Sequence, residues 1–167
     1  MKIEFMQEAL QEAQIALQHN DFPVGCVIVG NDTVIARGRR LHSSVKNELD
    51  HAEIVALRDL NMNHPYGEGE NLVAYATMEP CLMCFSALLL SNVRTVVYGF
   101  EDVMGGGTNI DLKLLNPLYS AMNIEIIPGI LRSESLKLFQ QFFAEDKSGY
   151  WKDSLLAQYT LSQSVTV

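Results

Sequence analysis

The sequence predicts an α/β fold: one mixed β-sheet with helices on both faces. Two observations point there. Segments with apolar residues at helical spacing alternate with short β-branched runs. The first two runs are joined by a tight turn and so pair antiparallel, whereas helices separate the later runs, which implies crossover connections and parallel pairing.

Each element has its own signal. Ile3, Met6, Leu10, Ala13 and Leu17 recur at intervals of three and four, one stripe of an amphipathic helix that stops near His19-Asn20-Asp21, before Pro23. Val24 to Val29 reads as a strand, Gly30-Asn31-Asp32 as a turn and Thr33 to Ala36 as a second strand, together a hairpin. Polar Gly38 to Asp50 is a loop. His51 to Leu60 is helical, and Asn61 to Asn71, with Pro65, Gly67 and Gly69, is another loop. Leu72 to Thr77 is a strand, and Pro80 opens a helix over Cys81 to Leu90. Val93 to Tyr98 and Ile124 to Ile127 are strands, and Ser133 caps a last long helix carrying Leu136, Phe139, Phe142 and Phe143. The unbroken apolar character of Val24 to Val29 and Val93 to Tyr98 fits strands buried on both faces. Gly105-Gly106-Gly107 reads as a flexible loop; no Lys-Ser/Thr follows it to make a phosphate cradle.

A length of 167 residues suits one domain over 1–167, with 145–167 as a C-terminal tail. No apolar run approaches the roughly 20 residues a membrane span needs, so no membrane partner is expected. Glu4, Glu8 and Glu12 interrupt the start of the chain where a signal peptide would be apolar, which points to a cytoplasmic protein. Three cysteines make no disulfide framework, and a Cys-x-x-Cys pair in a reducing compartment points to metal or redox chemistry. The formal charge of −8 opposes binding to a polyanion.

The chemistry is concentrated in two short pieces, His51-Ala52-Glu53 and Pro80-Cys81-Leu82-Met83-Cys84. Imidazole and thiolate suit Zn2+, and a catalytic zinc takes three protein ligands and leaves a fourth position for water. Cys81 and Cys84, three apart at a helix start, share a face, and the helix N-terminus favours their thiolates. His51 opens the other helix. Glu53 lies close to such a metal without being a ligand, where a carboxylate can accept and pass on a proton. Bland readings stand beside these. His42, His64 or Cys26 could complete a closed four-ligand site, and Cys26 reads first as a small packed thiol. Arg39 and Arg40 are either solvated loop charges or contacts to an anion. Tyr150 and Trp151 either pack the tail on the body or wall off a pocket.

His-x-Glu followed by Pro-Cys-x-x-Cys is the zinc deaminase signature. On Phe22-Pro23-Val24-Gly25, His51-Ala52-Glu53-Ile54, Thr77-Met78-Glu79-Pro80-Cys81-Leu82-Met83-Cys84 and Tyr98-Gly99, the chain resembles the cytidine and deoxycytidylate deaminase superfamily. The nearest branch holds tRNA adenosine, guanine and cytosine deaminases. The resemblance, from about Met1 to about Ala144, implies a three-layer α/β/α fold with a five-stranded mixed sheet. It also implies zinc at His51, Cys81 and Cys84, Glu53 as the catalytic proton shuttle, backbone groups near Ala52 and Cys81 that orient the water or ring, and a homodimer. The loop Gly38-Arg39-Arg40-Leu41-His42 departs from the Gly-Trp-Asn-Arg-Pro of tRNA adenosine deaminases: Arg40 stands where their Asn grips the base.

The expected function is hydrolytic deamination of a small aminated heterocycle: a free base, nucleoside, nucleotide or related ring. Ala52 and Arg40 are the expected substrate contacts. Editing of adenosine in tRNA is the alternative, disfavoured by the charge, by Arg40 and by the lack of a Lys/Arg-rich stretch after Glu145. A non-catalytic zinc-stabilised binding module is the third, and Glu53 speaks against it.

Overall fold

The computed structural model describes residues 2–41, 47–64, 71–145, 149 and 151–165. A five-stranded sheet lies at its centre, formed by β1 (Gly25–Gly30), β2 (Thr33–Arg39), β3 (Leu72–Met78), β4 (Val93–Phe100) and β5 (Glu125–Ile127). The order across it is β2-β1-β3-β4-β5. β1 pairs antiparallel with β2 and with β3, while β3–β4 and β4–β5 are parallel. The mixed sheet, the first hairpin and the parallel second half are all as the sequence predicts. Asn31 and Asp32 take the left-handed backbone (φ 50 and 60) that a two-residue hairpin turn requires.

Side chains alternate between the two faces of the sheet. Cys26, Ile28, Ala74, Ala76 and Val96 join a core with α2 (Ala52–Asn63) and α3 (Leu82–Leu90), which supplies Phe85, Leu88 and Leu89. Val27, Val29, Tyr75 and Val97 point the other way, toward Phe5, Met6 and Ala9 of α1 (Ile3–Gln18). The Phe5 and Tyr75 rings meet edge-on, 5.5 Å apart. Two helix layers thus sandwich the sheet, and β1 is buried along its whole length. α5 (Arg132–Glu145) packs on β4 and beside α1. No described helix is long and apolar enough to cross a membrane.

Several details differ from expectation. α5 begins at Arg132, so Ser133 lies inside it; Leu131, at φ 51, occupies the cap, and its carbonyl accepts from Ser135 N at 3.1 Å. A 3-10 turn (Leu112–Leu114) and a short helix α4 (Pro117–Ser120) precede β5. The stretch expected as a tail holds α6 (Leu155–Ser162), capped by the Ser154 hydroxyl accepting from Ala157 N at 3.1 Å. Leu156 of α6 enters a third core cluster with Met78, Phe100, Leu136 and Phe139. Tyr159 donates to Glu101 at 2.5 Å, and Arg132 pairs with the same carboxylate.

Candidate active site

The site forms where the N-termini of α2 and α3 meet beside the sheet. α2 can seat there because residue 38 is glycine: a Cβ on Gly38 would lie 2.1 Å from the Ala52 carbonyl oxygen and 2.4 Å from the Ala56 nitrogen. The turn before α2 is anchored by Arg58 reaching back to buried Asp50, and His51 N donates to the Leu49 carbonyl at 2.8 Å. His51 is the extended N-cap of α2, with Ala52 and Glu53 buried in the first turn.

Cys81 is the N-cap of α3, and Cys84 lies one turn inside it. The turn that delivers Cys81 is clasped from above by residues 102–108. The Glu79 carboxylate accepts from Asp102 N at 3.2 Å, Thr108 N at 3.2 Å and the Thr108 hydroxyl at 2.5 Å. Gly107 N donates to the Pro80 carbonyl at 2.9 Å, and a Cβ on Gly107 would meet Leu82 N at 2.5 Å. The glycine run is therefore a close-packed seat for the Cys81 turn, and the flexible-loop reading is corrected.

His51 Nδ1 lies 3.5 Å from Cys81 Sγ and 3.5 Å from Cys84 Sγ, and the ligand atoms of all three lie within 4.8 Å of one another. Zn–S of about 2.3 Å and Zn–N of about 2.0–2.1 Å place N and S ligands about 3.5 Å apart on a tetrahedron. The three residues fit zinc. The Cys81 thiol is held down to about 4, first by the hydrogen bond with Cys84, against the opposing pull of burial, and then by His51. Cys84 is pushed the other way, by its bond to Cys81 and by burial. A dication held by His51, Cys81 and Cys84 would supply the charge that lets both cysteines be thiolates. Burial pushes the Glu53 carboxyl above the usual carboxylate range, partly offset by a hydrogen bond with Cys84 and by His51.

A cavity of about 230 Å³ opens over this cluster. His51, Ala52, Glu53 and Cys81 line it, and so does Arg40. Arg40 is not a solvated loop charge: its side chain is 4% exposed, whereas that of Arg39 is 37% exposed and pairs with Glu12 at 3.0 Å. Arg40 donates to the Glu48 carbonyl and carboxylate, each at 3.0 Å. Of the suggested fourth ligands, Cys26 is packed at 0% exposure within the α2–α3 core and His64 is exposed at the end of α2. His42 lies outside the described residues, as does Tyr150. Trp151 lines the cavity, together with Leu156, Asp102 and Met104, which the sequence did not single out. Asp102 and Met104 come from the segment after β4 and Leu156 from α6, far apart in the chain, and they carry no spacing signal.

A profile of the cytidine and deoxycytidylate deaminase zinc-binding region matches residues 1–100. The chain is 30% identical over 143 residues to a tRNA-specific adenosine deaminase of Streptococcus pyogenes serotype M18, covering 86% of this chain and 90% of that one. A solved structure from work on A-to-I editing by tRNA:A34 deaminases at the wobble position of transfer RNA superposes with a TM-score of 0.70 at 28% identity, covering 82% and 99%. The guanine deaminase of Nitrosomonas europaea superposes with a TM-score of 0.69 at 21% identity, covering 85% and 84%, a likeness of fold.

Proposed function

The chain belongs to the cytidine and deoxycytidylate deaminase family, zinc-binding hydrolases of C–N bonds, and we propose that it releases ammonia from a small aminated heterocycle. His51, Cys81 and Cys84 would hold the zinc ion, which when bound supplies the Lewis acidity that lowers the pKa of a water. Glu53 moves the protons. Its carboxylate takes one from the attacking water and gives it to the ring nitrogen beside the reacting carbon. It then carries the proton of the new hydroxyl to the exocyclic amine, which leaves as ammonia while the carbonyl forms. At 3% exposure Glu53 is shielded from bulk water, so a proton it takes passes to the reacting groups rather than to solvent. Ala52, at the start of α2 and in the cavity lining, would orient the ring through its backbone.

The observation that carries the small-substrate reading is the cavity wall formed by Trp151 and Leu156. A base flipped out of RNA stays attached to a backbone on both sides and needs an open rim; a free ring does not. The net charge of −8 agrees. Editing of adenosine in tRNA is the second reading, favoured by similarity to tRNA-specific adenosine deaminases over 86% of this chain. A homodimer is part of the proposal: Leu82 and Leu90 of α3 stay exposed, as do Leu114 and Leu118 farther along the chain.

Ammonia release should be measured over a panel of purines, pyrimidines, pterins and triazines, beside inosine formation in a tRNA with adenosine at position 34. Low salt gives the RNA its best chance. Turnover of a free ring faster than of the tRNA is expected; the reverse order overturns this reading.

A further inference from the structure

We propose that Arg40 makes the cavity selective for an aminated ring that itself carries an anionic group, a carboxylate or a ring oxyanion. This rests on the deaminase reading of the same site and goes on to name the substrate class.

Arginine keeps its charge at any working pH. A charge taken out of water needs a partner, and the weight of that partner depends on its own exposure. Arg40 is 4% exposed at its side chain, while the paired Glu48 is 71% exposed, so solvent screens much of what Glu48 supplies. Only two guanidinium nitrogens are engaged by Glu48, Nη1 by its carbonyl and Nη2 by its carboxylate. Arg40 lines the same cavity as His51 and Glu53. Besides Glu53, the cavity's carboxylates are held by their own loop. Glu79 is held by Thr108 and Asp102 N, and Asp102 Oδ1 accepts from Met104 N and Gly105 N. Phe22, Val24, Met78 and Leu156 supply much of the remaining wall. An anion entering this apolar chamber loses water and meets a planar fork suited to two oxygens. At about 230 Å³ the space suits a ring and its own substituents, so the anion sits on the ring rather than on a distant ribose phosphate.

Zinc-loaded full-length protein is titrated calorimetrically with uracil, 5-carboxyuracil and 6-carboxyuracil, product-like rings that cannot be deaminated. At least one carboxylated ring should bind about ten-fold or more tighter than uracil, the scale of a charge-assisted hydrogen bond. Arg40→Gln should bring that ring to within about two-fold of uracil with zinc content unchanged. Glu48→Gln, which leaves Arg40 in place and removes a competing anion, should tighten the carboxylated ring. Equal binding of all three rings, or of none, by the parental protein overturns the proposal. So does an Arg40→Gln protein that loses zinc and weakens uracil and carboxyuracil alike, since Arg40 would then only position the turn that carries His51. Failure of the deaminase reading is distinct: no ammonia from any ring, whatever the binding preference.

Discussion

Adding a single methyl group at Gly38 tests how the fold holds the site. The new Cβ would lie 2.1 Å from the Ala52 carbonyl oxygen, 2.4 Å from the Ala56 nitrogen and 3.0 Å from Ala56 Cα. Comfortable contacts begin near roughly 3.5 Å, and all three of these atoms are backbone, so no side chain can swing aside. The first turn of α2 must retreat from β2 by about 1 Å or more. Overpacking of this kind costs about 1–3 kcal/mol, which for a chain of this size lowers Tm by about 2–12 °C. The retreat also draws His51 Nδ1 away from two sulfurs that now stand 3.5 Å from it. Disturbing the support of a ligand weakens metal binding by about 10–100-fold. Gly38→Ala should therefore fold, melt earlier and bind zinc more weakly, as read by thermal denaturation and by competition with a chromogenic chelator. A variant with parental Tm and parental zinc affinity would refute the reasoning, because the close approach would then not be what seats α2.

Three further outcomes are expected. Glu53→Gln should keep its zinc and its melting temperature while ammonia release falls by roughly 10² or more; parental turnover would remove Glu53 from the mechanism, and loss of zinc would make it a ligand. Leu90→Glu, at a position 58% exposed on α3, should shift sedimentation of the protein from dimer to monomer, and a parental protein that sediments only as monomer contradicts the assembly. Burial pushes the Glu101 carboxyl up, but hydrogen bonds from Arg132 and Tyr159 outweigh it and hold it below its ordinary value. A depressed folded-state pKa stabilises above the unfolded value and ceases to as pH falls through the folded one. The Tm gap between parental protein and Glu101→Gln should be full at neutral pH and close below about pH 4; a gap that widens in acid would refute the pairing.

Much of the fold was legible because its signals are local. The hairpin was marked by Asn31-Asp32, and α1 by a stripe of which Met6 and Ala13 are fully buried. The metal cluster was legible because its chemistry demands rare residue types at fixed spacing, and both N-caps, His51 and Cys81, lie where the motif predicts. What escaped depends on long-range contacts. α6 buries only Leu156, Ala157 and Thr160, too weak a stripe to announce itself, and is held by Tyr159 on Glu101 across 58 residues. The start of α5 lies two residues before the one a Ser133 cap implies, because the chain turns at Leu131 with a positive φ and Leu131 takes the cap. Of the apolar residues of α3, Phe85, Leu88 and Leu89 are at most 2% exposed, in the core that Tyr119 and Met122 also join, whereas Leu90 stays 58% exposed; spacing alone does not separate the two kinds. Arg40 read as an even choice between solvent and substrate, and burial could be decided only by where Glu48 and β2 place it.

The most direct test of the account is the zinc content of purified parental and Cys84→Ala proteins, measured by atomic emission after removal of loosely bound metal. One zinc per chain is expected in the parental protein and a large loss in the variant, because Cys84 Sγ is one of three atoms gathered within 4.8 Å. One zinc per chain retained by Cys84→Ala would contradict the three-ligand centre on which the proposed deamination depends.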